Sequence, residues 1–204
     1  MDTPKRCWSD AESDKEWRSC WRGKRVSTTG EHSDIIAFAR HSELCSQIWS
    51  ADLGYPGDQN YLEFHWIENG IKCHRVTDRR SHHKEAYDPI KAERIAKLHA
   101  YHYAGRLHRE ASNQTNATSL TLCFDSELFG HWWFEGPIFI ENILKKSTKY
   151  SIKLTNLREI LLQKPNLQIC DPSPSSWGQG GYHNYWLNDK NAWIVPEITK
   201  AGSF

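Results

Sequence analysis

Residues 119 to 146, "SLTLCFDSELFGHWWFEGPIFIENILKK", change periodicity part-way along. From 119 to 124 apolar and polar residues alternate, as in a strand with one buried face. From 136 to 146 apolar residues recur at helical spacing, with Gly136 and Pro137 at the start and Lys145 and Lys146 at the end, where the helix dipole favours cations. A strand running into a helix is the building unit of an α/β fold. The junction itself, 124 to 137, carries Asp125, Glu127, Glu135, His131 and the pair Trp132–Trp133, a mixture that burial alone does not call for.

The neighbouring segments extend this rhythm. "YDPIKAERIAKLHAYHYAGRLHREA" (87–111) predicts a long helix with Asp88 as N-cap, Pro89 in the first turn, and Ile95, Leu98 and Leu107 along the inward side. His99, His102 and His108 then fall at its surface or boundary. "DIIAFAR" (34–40), "IKCHRVT" (71–77) and "NLQIC" (166–170) read as strands. "SELCSQIWS" (42–50) reads as a helix capped by serine, and "NLREILLQ" (156–163) as a helix capped by Thr155. "GYPGD" (54–58) is turn chemistry, and Asn113 and Asn116 mark a polar loop. Strands alternating with helices predict a parallel sheet. Residues 1–33 show neither period and are expected to be an irregular N-terminal segment, leaving 34–204 as the folded region.

Composition excludes several classes of function. Lys plus Arg number 26 and Asp plus Glu 25, so the net charge of +1 offers no field for nucleic acid. No apolar run reaches the ~20 residues of a spanning helix, and no secretion signal opens the chain; a soluble cytoplasmic protein is expected. The six cysteines lack CxxC spacing and read as free thiols. His82 and His83 are adjacent and would point apart, so no metal is expected, and no cofactor is assigned.

Ten tryptophans either fill a core or line a site for flat, partly apolar ligands such as sugar rings. Asp125 is the first polar residue beyond the 119–124 segment. Phe124, Phe129, Trp132 and Trp133 around it would desolvate a carboxylate and favour its protonated form, as a general acid requires; a capping or surface-pairing role is equally open. Glu127 and Glu135 stay without individual roles. In the Gly-rich loop 172–193, Trp177 sits between small residues and close to Gln179, His183, Asn184 and Asn188, which suits sugar contact, while Trp186 and Trp193 read from context as core.

Three blocks, "IWSADLGYPGDQNYLEFH" (48–65), "FDSELFGHWWFEGP" (124–137) and "PSSWGQGGYHNYWLND" (174–189), closely resemble segments of the family-57 glycoside hydrolases, specifically the α-1,4-glucan branching enzymes, and the likeness runs from Asp34 to Ala201. The resemblance implies an α/β fold: a partial (β/α)7-type barrel, an incomplete TIM-like barrel with helical insertions. It also implies a retaining mechanism that cuts an α-1,4-glucan, such as amylose or a glycogen-like polymer, and rejoins the piece as an α-1,6 branch. Asp125 matches the general acid/base. Arg40, Gly57 and Trp177 fall at positions around the substrate, Trp49 and Trp186 match aromatics of glucan binding or transfer, and His131 matches a site residue. Nothing in residues 1–33 matches the segment of the nucleophilic glutamate, so no nucleophile is assigned.

Two further departures from the family are the shorter stretch between Trp66 and Ile71 and the end at "EITKAGSF". They imply an internal piece of a larger enzyme, inactive alone, with a companion chain carrying the missing barrel half as one partner. The competing readings are a non-catalytic α-glucan-binding fragment and a non-functional truncated product. Hydrolysis and transfer are both open.

Overall fold

The computed structural model describes residues 24–28, 31–38, 40–50, 53–113, 119–163, 168–170, 184 and 186–203. Residues 1 to 23, the sequon at Asn116, and Trp177 with Gln179 and His183 lie outside them. The chain divides into two compact units, one formed by 24–37 with 168–203 and the other by 38–163.

In the first unit, β1 (Lys24–Thr28) and β2 (Glu31–Ala37) pair antiparallel, and β3 (Gln168–Cys170) pairs parallel with β1, giving the order β2-β1-β3. Strand at 24–28 and 31–33 replaces the irregular stretch expected there, and β2 continues through 34–37, within the strand expected at 34–40. The sheet is mixed, not parallel throughout, because β2 follows β1 only two residues later, whereas β3 comes from far along the chain.

The second unit is helical. The helix α1 (Ser42–Trp49) is capped by His41, not by serine: His41 Nδ1 accepts from the Leu44 N–H at 3.3 Å. The long helix α2 (Pro89–Asn113) starts as the sequence predicts, with Asp88 Oδ1 accepting from the N–H groups of Ile90 and Lys91 at 3.0 Å each. Its inward face differs from expectation. Ala92, Ala96, Ala100, Tyr103, Ala104 and Leu107 are buried, whereas Leu98 is 55% exposed. Small side chains four residues apart let the neighbouring backbone and aromatic rings approach closely.

Against this face pack α3 (Gly136–Ser147) and the turn at Tyr55–Gly57. Phe139 lies 5.7 Å from Tyr103 and 5.6 Å from Tyr55, ring centre to ring centre. The short helix α4 (Leu157–Leu162) is capped by Asn156, whose Oδ1 accepts from the Glu159 N–H at 3.0 Å, while Thr155 donates its hydroxyl to the Glu159 carboxylate. A final helix, α5 (Ile194–Ala201), belongs to the first unit.

The strands expected at 71–77 and 119–124 do not form as named strands among the described residues. The first contributes only isolated bridges, Leu62 with Arg75, Glu68 with Ile71 and His74 with Ala86, and the second forms no ladder. Alternation selects a buried face; it does not supply the neighbouring strand that a ladder needs.

Candidate functional site

The stretch after residue 124 folds into a tight knot. A single 3-10 turn, Ser126–Leu128, follows Asp125, and Gly130 takes a φ of 102°, a left-handed value that glycine adopts without strain. The Gly130 N–H donates to Trp133 O at 2.8 Å and the Trp133 N–H to Leu128 O at 2.8 Å. This doubling-back turns the two tryptophans in opposite directions. Trp133 is 1% exposed, packed between Phe139 (4.8 Å), Tyr61 (5.5 Å) and Phe129 (6.1 Å). Trp132 is 45% exposed and donates its indole N–H to Glu127 Oε1 at 3.3 Å.

Around Trp132 the chain assembles an exposed aromatic cluster. The Phe64 ring lies 4.5 Å from Trp132 and 5.3 Å from His131, and His131 lies 5.3 Å from Trp132. Lys72 Nζ stands 3.7 Å from the Phe64 ring centre, close enough for a cation–π contact. Phe64 and Lys72 were not singled out from sequence; "LEFH" closes the 48–65 block, and that position was the only signal for Phe64.

Asp125 is exposed, and its side chain does not cap the turn it precedes. The expected desolvation is therefore a correction: Trp133 and Phe129 face the core beneath the loop and leave the carboxylate to water. The buried acid is Glu135, fully enclosed, with Oε1 accepting from the Leu62 N–H at 3.0 Å and the Tyr87 hydroxyl at 2.7 Å. Burial pushes its carboxyl above the usual range, opposed by the Tyr87 hydroxyl, the Leu62 N–H and its own backbone N–H, with Asp58 adding to the rise.

The other expected site residues are distributed. Arg40 is exposed and immediately precedes His41, whose N–H donates to Thr121 O at 2.9 Å, so it sits beside the segment leading to Asp125. Trp49, 42% exposed, ends α1. Gly57 closes its turn where an added Cβ would fall on the Arg79 guanidinium. Trp186 is 50% exposed, contrary to the core reading, and belongs to the other unit. Trp177 lies outside the described residues.

Half-buried His99 and exposed His102 keep the boundary and surface positions expected of them, and there they meet tyrosine hydroxyls. The Tyr61 hydroxyl and His99 Nδ1 are 2.8 Å apart, the Tyr55 hydroxyl and His102 Nδ1 2.7 Å, and Tyr55 stacks on the His99 ring at 4.5 Å. Burial lowers the pKa of His99, partly offset by Asp58, whose Oδ2 is 3.7 Å from Nε2.

Glu68, Cys73 and His74 bring one possible metal-binding atom each within 4.8 Å of one another. Cys73 lies at His74 Nδ1 (3.4 Å) and Glu68 at Nε2 (3.5 Å), so the partners occupy opposite ring nitrogens, which satisfies the imidazole without aiming three donors at a common centre.

No family model matches the chain. A probable 1,4-alpha-glucan branching enzyme of Mycobacterium tuberculosis is 32% identical over 171 residues, covering 80% of this chain and 32% of the relative. The 1,4-alpha-glucan branching enzyme of Thermococcus kodakarensis is 33% identical over 181 residues, 83% of this chain and 26% of the relative. Its crystal structure, a GH57 enzyme in complex with glucose, has a TM-score of 0.78 over 89% of this chain and 34% of that one, at 32% identity. The GH57-type branching enzyme of Pyrococcus horikoshii has a TM-score of 0.80 over 93% of this chain and 36% of that one, at 34% identity. This chain thus spans about a third or less of the length of the relatives it matches. Over that span sequence and backbone agree in their likeness to branching enzymes of the family-57 glycoside hydrolases.

Proposed function

We propose that this chain carries the acid–base portion of an α-1,4-glucan site, with Asp125 as the proton donor. The observation that carries the reading is the loop: an exposed carboxylate at its start and, a few residues on, the exposed His131 and Trp132 rings, against which half-buried Phe64 packs from another segment. Glucose rings present flat C–H faces that stack on such aromatics, while Glu127 and His131 offer polar partners for hydroxyls. Arg40, Trp49, Gly57, Trp177 and Trp186 complete the proposed substrate contacts. The 34–204 region is proposed as part of an incomplete barrel of the (β/α)7 type, and glycogen-like polymer in the cytoplasm as the natural substrate. Among the described residues no helix is long and apolar enough to cross a membrane.

In the proposed reaction Asp125 gives its proton to the glycosidic oxygen of the departing glucan as the C1–O bond breaks. It later takes a proton from the incoming acceptor. If the acceptor is a glucan 6-hydroxyl, the product is an α-1,6 branch; if it is water, the product is a new reducing end. A retaining course also requires a second carboxyl about 5–5.5 Å away to hold the sugar covalently between the steps. No nucleophile is assigned in this chain, and we propose that a companion chain or segment supplies it.

The test is amylose turnover by the purified chain and by Asp125→Asn, reading reducing ends and α-1,6 linkages, together with maltoheptaose binding by both. We expect binding in both and negligible turnover by the chain alone. Turnover that survives in Asp125→Asn would show that Asp125 is not the proton donor. Absence of binding would leave no support for the glucan reading. The exposed aromatic cluster equally suits a fragment that holds glucan without cutting it, which binding without turnover in any reconstituted mixture would favour.

A further inference from the structure

Among the described residues Glu135 is the only buried acidic side chain, and the cleavage chemistry does not use it. Its Oε1 accepts from the Leu62 N–H and the Tyr87 hydroxyl, while Oε2, also buried, meets no hydrogen-bond partner. Leu62 follows the turn of Gly57 and Asp58, and Tyr87 stands just before α2, so one oxygen fastens both ends of the 62–87 excursion. That excursion supplies Phe64 and Lys72 to the aromatic cluster. Glu135 is also the residue from which α3 starts, a few positions after His131 and Trp132.

We propose that Glu135 is a positioning residue for the glucan site: through Leu62 and Tyr87 it sets the Phe64 face against His131 and Trp132, and thereby sets glucan affinity. The proposal rests on the glucan reading above. The groups facing Glu135 are the Tyr87 hydroxyl from the excursion and Asp58 and Tyr61 from the turn before it, none of them a cation. An ionised carboxylate would leave a charged, partnerless oxygen enclosed, so the acid form holds the link with its proton on Oε2. Glutamine reproduces that form, with its carbonyl in place of Oε1 and its amide nitrogen in place of the protonated Oε2. Alanine removes the acceptor and strands both donors. The ionised form favours arrangements in which the side chain reaches water, so the link weakens as pH rises through the elevated folded-state value.

The experiment compares the whole chain with Glu135→Gln and Glu135→Ala. Maltoheptaose affinity is measured by calorimetry from pH 6 to 9, and hydrogen exchange at the Leu62 amide is followed without sugar. Glutamine should match the parent at the acid end of the range and lose less affinity than the parent as pH rises. Alanine should weaken binding about tenfold, from two stranded donors, and should speed Leu62 exchange beyond its loss of global stability. Unchanged affinity and protected Leu62 in the alanine variant would overturn the proposal, as would a glutamine variant that follows the parent's pH curve. If alanine fails to fold, the glutamine comparison decides. If the parent binds no maltoheptaose, the glucan reading has failed by itself, and Leu62 exchange still decides whether Glu135 holds the excursion.

Discussion

Truncating each member of the Trp132–Trp133 pair to alanine should separate two roles that the sequence writes identically. A buried tryptophan removes about 150–250 Å² from water, worth about 4–6 kcal/mol at 25 cal/mol per Å², an upper figure because the unfolded chain already hides some of it. Trp133, 1% exposed and ringed by Phe139, Tyr61 and Phe129, should therefore lose about 3–5 kcal/mol on truncation. Trp132, 45% exposed, gives up roughly half that contact and one long, exposed hydrogen bond, about 2–3 kcal/mol. With a urea slope of about 2–3 kcal/mol/M, the two midpoints should differ by about 0.5 M. Urea unfolding followed by far-ultraviolet circular dichroism measures this directly. Equal midpoints, or Trp132→Ala as the weaker protein, would refute the inside–outside assignment. Maltoheptaose binding should fail in the opposite order, with Trp132→Ala losing affinity and Trp133→Ala retaining it at temperatures where it is folded.

Two further outcomes follow from the turn above α2. Gly57→Ala would place its Cβ on the mobile end of Arg79, not on backbone, so stability should change by less than about 1 kcal/mol as the guanidinium swings aside; a loss above about 3 kcal/mol in urea unfolding would show that Arg79 cannot move. His99 has its pKa lowered by burial, so its unfolded form binds the proton more readily and its contribution to stability, present above pH about 6.5, is lost as pH falls. Unfolding at pH 5.5 and 7.5 should show a smaller difference in His99→Gln than in the parent, and an identical difference would remove His99 from the acid limb.

The long helix was legible because its signals are local: Asp88 caps it, and Pro89 suits its first turn. Its buried face was not, since alanines at 92, 96, 100 and 104 carry little hydrophobic weight and yet line the contact, while Leu98 faces out. The segments at 71–77 and 119–124 alternate as strands do, but that 71–77 makes only isolated bridges and 119–124 no ladder was not legible, because pairing depends on residues outside each segment. Asp125, His131 and Trp132 were drawn together by adjacency in sequence, which the loop preserves. Phe64 and the partners of Glu135 came from another segment, so no spacing within the loop revealed them. Likewise His99 and His102 look like solvated residues on a helical wheel until Tyr61 and Tyr55 are laid across them.

The register of the small sheet has a consequence for how the chain could be rearranged. Lys24 pairs with Ala37 on one side and Gln168 on the other, so the polypeptide leaves the sheet and returns to it across a single strand, with about 10 Å between the two crossing points. A stretch of well over a hundred residues is thus spliced into a sheet through two neighbouring ports. A bridge of a few glycines would span that gap. The sheet element and the intervening helical segment are, in that sense, separable cassettes, and grafting either into another host calls only for a pair of chain ends lying about two strand spacings apart.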